Sequence, residues 1–316
     1  MEFAANLRVL PTRTMRSVLI WLSHRRSLAR TAVRSPLARS FVARFVAGET
    51  LQAALPAIAE LKRAGLRTTV DVLGESATSA VDAAAAVDRY LVTIAALSER
   101  GLDANVSLKL TQLGLEIDPA ICLANVVRVI EALLAVDGFV RFDMEDHTRT
   151  DATLEIWRVA REVYPKVGVV IQAALRRSSA DVDAIIAVGG RVRLCKGAYD
   201  EPGSIAYRTR VAVDANYARL MERLLLADVY PALATHDPRL IRKAIAITER
   251  EGIGRDRFEF QMLYGVRRDL QRTLISRGYS VRIYVPYGGE WYPYFMRRLA
   301  ERPANVAFML RAIFKR

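Results

Sequence analysis

Acid, amide, cationic and imidazole side chains recur at the ends of short β-branched runs throughout this 316-residue chain. Glu75, Lys109, Asp143 with Glu145 and Asp146, Gln172, Arg193 with Lys196, Thr235 with His236, Gln261 and Tyr284 each close such a run or open the loop after it. A strand buried on both faces admits a Lys, Gln or Asp only when the group is paired or faces a wet pocket, because burial otherwise costs several kcal/mol. One shared pocket accounts for the whole set. Taken singly, each residue also fits a structural hydrogen-bonder in a polar barrel mouth or a loop residue.

What the pocket does depends on which groups converge. The cluster Asp143-Met144-Glu145-Asp146-His147 admits a metal site, since alternate residues of a strand share a face. With three histidines in the chain and no H-x-H or H-x-x-x-H spacing, an organic-ligand pocket fits better. Only six of the 47 basic residues are lysines, yet Lys109 and Lys196 sit in or just beyond strands, where a compact point charge is useful. The stretch from Tyr284 to Arg298 sets aromatic rings beside the pair Arg297-Arg298. Rings can wall an apolar body while guanidinium forks clamp a carboxylate. On spacing alone, a helix with a packed aromatic face and solvated arginines is the simpler reading. Cys195 reads as a small core residue.

The elements that must carry these groups can be counted. Eight runs, Arg67–Leu73, Asn105–Leu110, Phe139–Met144, Val167–Ala173, Arg191–Cys195, Tyr230–Thr235, Phe258–Leu263 and Ser280–Val285, start roughly 22 to 39 residues apart, room for one crossover helix each. Thr50–Ala64, with Thr50 as N-cap and Gly65 past its end, and Ser76–Arg100 carry helix punctuation. The pattern predicts an α/β fold, a (β/α)8 TIM barrel over residues 45–316 with extra N-terminal helices, and chemistry at the C-terminal ends of the strands. An open doubly wound sheet competes, but no G-x-G-x-x-G or G-x-x-x-x-G-K-S/T follows any run.

Charge is lopsided. Residues 1–44 hold nine arginines against the single acid Glu2, a net +8 of the chain's +13, which leaves about +5 for the body. A basic helical appendage on a nearly balanced globule argues against a nucleic-acid-reading surface. It fits a solvated head, an anionic membrane surface or an organelle transit peptide. The apolar stretch Val18–Leu22 is far too short to span a bilayer. Two cysteines without a partner pattern fit a reducing compartment, so the expected location is cytoplasmic, with peripheral attachment at the inner face of the membrane as the variant.

From about Phe45 to Asn305 the chain resembles the proline dehydrogenase family. The resemblance rests on Phe45-Val46-Ala47-Gly48-Glu49, Leu73-Gly74-Glu75, Val106-Ser107-Leu108-Lys109-Leu110-Thr111, Asp143-Met144-Glu145-Asp146, Arg193-Leu194-Cys195-Lys196-Gly197-Ala198-Tyr199, Ala234-Thr235-His236-Asp237, Phe260-Gln261-Met262-Leu263-Tyr264-Gly265 and Tyr294-Phe295-Met296-Arg297-Arg298, in that order. It implies the compact monofunctional type, a barrel holding FAD that oxidises L-proline to Δ1-pyrroline-5-carboxylate, the first step of proline catabolism. Electrons would pass to a quinone, and pyrroline-5-carboxylate dehydrogenase would be the downstream partner.

By the same resemblance Arg297 and Arg298 bind the proline carboxylate, assisted by Lys109, while Tyr199, Leu263, Tyr284 and Tyr294 enclose the ring. Met144, Gln172, Arg193, Lys196, Gly197, Ala198, Thr235 and His236 hold the flavin; Asp143 and Arg193 are the catalytic pair, Asp143 orienting the network. Glu75 pairs with Arg297 as a gate. Tyr284 stands where hydroxyproline oxidases carry a smaller residue, which favours proline; Ala174 departs from the Tyr often found after Gln-Ala. Hydride transfer from proline C5 to flavin N5 requires a neutral amine, which surrounding cations favour. The competing enzyme reading is a metal-dependent or Schiff-base lyase on Asp143, Glu145 and Lys109 or Lys196; the non-enzymatic one is a basic membrane- or nucleic-acid-binding module.

Overall fold

In a computed structural model of the chain, residues 42–301 are described, with side chains through Met296. The expected basic segment 1–44 lies almost wholly outside them. Eight parallel strands close into a barrel in sequence order, β1 Arg67–Val72, β2 Asn105–Leu108, β3 Phe139–Phe142, β4 Val167–Gln172, β5 Arg191–Cys195, β6 Ala232–Ala234, β7 Glu259–Leu263 and β8 Val281–Tyr287. The seam is a six-residue parallel ladder from Arg67 opposite Arg282 to Val72 opposite Tyr287. The helices are α1 Leu51–Arg63, α2 Ala80–Glu99, α3 Pro119–Leu134, α4 Thr150–Val163, α5 Ser178–Ala187, α6 Arg210–Leu226, α7 Pro238–Arg250, α8 Arg268–Ser276 and α9 Trp291–Glu301. Among the described residues no helix is long and apolar enough to cross a membrane.

Each of the eight expected strands is present, with ends moved for local reasons. β2 stops at Leu108 because Lys109 leads into the 3-10 turn Leu110–Leu113. β6 starts only at Ala232, since Tyr230 has a left-handed backbone (φ 50°) and Pro231 has no N–H for the ladder. β8 runs past Pro286 to Tyr287 because only the carbonyl of Pro286 is needed there; it accepts from Ala47 N at 2.9 Å. The expected cap holds: Thr50 accepts from Ala53 N at 3.3 Å and Gly65 takes the left-handed conformation after α1.

Alternation along the strands divides two environments. One set of positions, including Val70, Val106, Val140, Val169, Val192, Leu233, Phe260 and Ile283, is fully buried and packs with the helix cover into the main apolar core. The other set turns into the lumen and is largely polar, with Thr69, Asp71, Ser107, Arg141, Arg193, Glu259, Gln261 and Arg282 all buried. Most barrels fill this space with branched aliphatics. Here it is filled with hydrogen-bonding groups.

The turn into β3 has no room for a side chain. A Cβ on Gly138 would meet Leu133 Cδ2 at 2.5 Å and the backbone oxygen of Ala104 at 2.6 Å. Gly138→Ala is therefore expected to destabilise the fold by about 1–3 kcal/mol through overpacking. Denaturant unfolding followed by circular dichroism measures this, and an unchanged midpoint would contradict it.

Candidate active site

A connected network rises through the lumen. Arg282, at the bottom of β8, donates from Nη1 to Thr68 O (2.7 Å) and from Nε to both oxygens of Glu259 (3.0 Å each). Glu259 accepts from Gln261 Nε2 (2.5 Å), and Gln261 Oε1 accepts from Arg193 Nε (2.5 Å). Arg193 Nη1 then reaches across the barrel to Ser107 Oγ (2.9 Å) and Asp143 Oδ1 (2.7 Å). The remaining oxygen of Asp143 accepts from Tyr284 OH at 2.7 Å, and the Arg193 guanidinium lies 5.2 Å from the centre of the Tyr284 ring. Burial and the Asp143 carboxylate push the Tyr284 phenol well above its ordinary pKa, so it remains a donor at neutral pH. Beside the network, Lys109 Nζ pairs with the fully buried Asp71 at 3.1 Å. Arg193 Nη2 is buried without a hydrogen-bond partner among the described residues.

The loops above the strands form the rim. Gln172 closes β4 and donates to Glu145 O at 2.8 Å. Gly197 needs its freedom: φ is +108°, and a Cβ there would come within 3.2 Å of Gln172 Oε1 and 3.1 Å of Ala174 Cβ. Ala174 N donates to Lys196 O at 2.8 Å, which ties the β4 and β5 loops through the backbone. Lys196 Nζ bridges Asp214 and Asp237. His236 Nε2 accepts from Leu263 N at 3.0 Å, which fixes the ring by its unprotonated nitrogen, and Thr235 Oγ1 accepts from Asp237 N at 3.1 Å. Helix α9 is anchored at its start: Trp291 Nε1 donates to Glu49 at 3.2 Å, and the rings of Phe45 and Phe295 lie 6.3 Å apart.

The sequence profile of the family described as "Proline dehydrogenase" matches residues 54–311. The chain belongs to the proline dehydrogenase family. It is 38% identical to Proline dehydrogenase 1 of Bacillus subtilis subsp. natto over 96% of this chain and 100% of that one. It is 42% identical to the proline dehydrogenase of Deinococcus radiodurans, covering 86% of this chain and 89% of the other. Among solved structures, proline utilization A from Bdellovibrio bacteriovorus, inactivated by N-propargylglycine, superposes with a TM-score of 0.79 at 26% identity. That match covers 88% of this chain but only 34% of the larger protein. The proline dehydrogenase family is one of oxidoreductases, and the family barrel is the fold found here.

Measured against that membership, the expected residues gather at one mouth. Lys109, Asp143, Gln172 and Leu263 stand at the ends of β2, β3, β4 and β7; Arg193 and Tyr284 point into the lumen from β5 and β8. Met144, Lys196, Gly197, Ala198, Tyr199, Thr235 and His236 lie in the loops just above, and Tyr294 is buried on α9. Glu75 is exposed in the loop after β1. Arg297 and Arg298 ride on α9, but their side chains lie outside the described ones, as does the gate contact of Glu75 with Arg297.

The acids of the Asp143–Asp146 cluster, weighed above for a metal and set below an organic-ligand pocket, go different ways. Asp143 is committed to Ser107, Arg193 and Tyr284, whereas Glu145 turns to Thr111, accepting from its hydroxyl at 2.8 Å, and burial raises its pKa. A peptide that leaves the strand after Phe142 breaks the alternation the metal reading needed. A cavity of about 470 Å³ opens at the opposite mouth, lined by Lys62, Arg67, Asp103, Phe139 and Arg282 among others. It is remote from the strand ends where barrel chemistry gathers. Asp71, Ser107 and Glu259 were missed as site residues. Their signal is in the sequence, a polar residue two positions from another in the same run, as in Thr69 and Asp71, Ser107 and Lys109, or Glu259 and Gln261.

Asp237 offers a pH test. Burial opposes its ionisation, but hydrogen bonds from Arg239 and Lys196 prevail and hold it at about 2, below the ordinary 3.8. A depressed carboxylate contributes stability that is present above the unfolded-state value and lost as pH falls through the folded one. Asp237→Asn should therefore destabilise the protein at pH 7, by at most about 2 kcal/mol. The gap from wild type should close between about pH 4 and pH 2. Thermal melts across that range measure it; a gap independent of pH would exclude the ion-pair account.

Proposed function

We propose that the mouth of this barrel binds FAD and oxidises L-proline to Δ1-pyrroline-5-carboxylate, with electrons passing on to a quinone. The observation that carries this reading is Arg193, locked by Gln261, Ser107 and Asp143 with its second terminal nitrogen buried and unmatched. Such a donor fits an acceptor on a polar ring system placed over it. Gly197 keeps the β5 loop packed against Gln172 and Ala174 where a side chain would crowd both, and Gln172, Lys196, Thr235 and His236 would hold the rest of the cofactor. When bound, FAD supplies the hydride acceptor, chemistry that no amino-acid side chain offers.

The protein's own groups do the positioning. Lys109 is balanced by Asp71 and Arg193 by Asp143, so these pairs add little net charge. Surplus positive charge for the substrate carboxylate then comes from Arg297 and Arg298, with Lys109 close enough in the same mouth to assist. Those cations also disfavour a third positive charge on the substrate, keeping the ring nitrogen neutral with its lone pair free. Tyr284 keeps its proton, presents a ring beside Arg193 and, with Tyr199, Leu263 and Tyr294, would enclose the pyrrolidine. Glu75 pairing with Arg297 would close the mouth. The basic segment 1–44 would hold the enzyme on an anionic leaflet where quinone resides.

The purified protein should be yellow, and its flavin absorbance should bleach on adding L-proline without oxygen. Arg297→Ala and Arg298→Ala should each raise KM for proline at least ten-fold while flavin stays bound, the loss of a charged carboxylate contact being worth about 1.5–3 kcal/mol. A colourless protein activated by a divalent metal would sink the proposal, and loss of flavin with unchanged KM would remove the clamp. Sedimentation with anionic liposomes should pull down the full chain at low salt, less at high salt, and not a form lacking residues 1–40. Absence of binding at both salts ends the membrane assignment.

A further inference from the structure

Glu259 takes no part in the chemistry above, yet it is 2% exposed at the foot of the barrel and begins the chain of contacts that ends on Arg193. We infer that Glu259 is a positioning residue that orients the Gln261 amide and so holds Arg193 against its acceptor. The inference rests on the role proposed for Arg193.

The argument is one of donors and acceptors. A side-chain amide is two-faced, and nothing in its shape decides which end points where. Glu259 is held ionised: burial would raise its pKa, but Arg282 beside it prevails and the group lies below its ordinary range. An ionised carboxylate only accepts, so the NH2 of Gln261 must face it at 2.5 Å. The amide oxygen is then forced toward Arg193 Nε, where it accepts at 2.5 Å. Turned over, Gln261 would set its oxygen against the Glu259 carboxylate and its NH2 against the Arg193 guanidinium. Both contacts would be repulsive in a dry lumen. Arg282 in turn pins the carboxylate with two contacts of 3.0 Å. One acid thereby fixes an amide on its own strand, and the amide fixes a guanidinium on another.

Three variants and one control test this, read by steady-state kinetics with proline and by two flavin measurements, the absorbance spectrum and the dissociation constant for FAD. Gln261→Met keeps the Glu259–Arg282 pair and removes only the relay. It should lower kcat about ten-fold or more, leave KM for proline within about three-fold, and shift the flavin spectrum or weaken FAD binding. Glu259→Gln should do the same, with loss of stability besides. The exchange Glu259→Gln with Gln261→Glu restores an unambiguous chain at unchanged net charge. Glu at 261 accepts from Arg193 and from the amide of Gln at 259, whose oxygen accepts from Arg282. It should recover kcat and spectrum to within about three-fold of wild type.

Wild-type kcat and spectrum in Gln261→Met overturn the inference, whether or not Glu259→Gln folds. So does an exchange no better than Glu259→Gln alone, since a purely structural ion pair with Arg282 is lost equally in both. Arg193→Lys separates the two levels. If it is impaired while the Gln261 and Glu259 variants are not, only this inference fails; if it too behaves as wild type, the assignment of Arg193 fails with it.

Discussion

The hydrogen-bonded line from Arg282 through Glu259, Gln261 and Arg193 to Asp143 and Tyr284 is the constraint around which this barrel is arranged. It joins β8, β7, β5 and the end of β3 through the lumen, and its steps from β7 to β5 and from β5 to β3 are contacts that no backbone ladder makes. Every member depends on the next. A guanidinium cannot be left unpaired in such a space, and a carboxylate there stays ionised only beside a cation. The side effects reach the backbone. Arg141 also fills the lumen, with burial and Arg193 pushing its pKa well down, and it makes room for itself at the expense of β4. Gly168 stands in that strand where a Cβ would meet Arg141 Nη1 at 2.8 Å and Phe139 Cζ at 2.9 Å.

Such a lumen is not the arrangement that maximises stability. Buried ion pairs are commonly matched or bettered by packed hydrophobic residues of similar volume, whereas removal of one partner is severe. The stabilising work is done on the other face of the strands, where Val, Leu, Ile and Phe are enclosed by the helices. This separation allows the inner face to be polar. Alternation along each strand gives one residue to the core and the next to the site, so the same eight strands supply both without conflict.

Much of this was legible in the sequence because two periodicities coincide. β-branched runs at helix-plus-loop spacing gave the strands, and polar residues at the ends of those runs gave the mouth. What was misjudged lay where a local feature overrides the run. Pro231 delayed β6, the turn after Lys109 shortened β2, and the chain's exit after Phe142 sent Asp143 and Glu145 in different directions. Glu259, the first residue of β7, reads as a strand boundary, and the polar residues spaced by two in β1 mark Asp71 without showing that its cation is Lys109, beyond the next strand. Pairing between distant strands has no signature in spacing. The resemblance to proline dehydrogenases named residues at the mouth but gave no reason for the foot of the barrel.

The motif Phe45-Val46-Ala47-Gly48-Glu49 acquires its reason from the opposite end of the chain. Glu49 accepts from the indole of Trp291, Phe45 packs near Phe295, and Ala47 N and Gly48 O bond to Pro286 O and Gly288 N as the chain leaves β8. Helix α9, which bears Arg297 and Arg298, is thus set not by the barrel alone but by a segment that precedes its first strand. The carboxylate clamp proposed on this helix would have to meet its ligand at a defined height above the lumen, because misplacement of about 1 Å can cost about a hundred-fold in rate. The network below fixes where Arg193 stands and the Glu49–Trp291 contact fixes where α9 begins. The distance between the two, and with it the span that the proposed substrate would occupy, is therefore determined by residues that need not touch it.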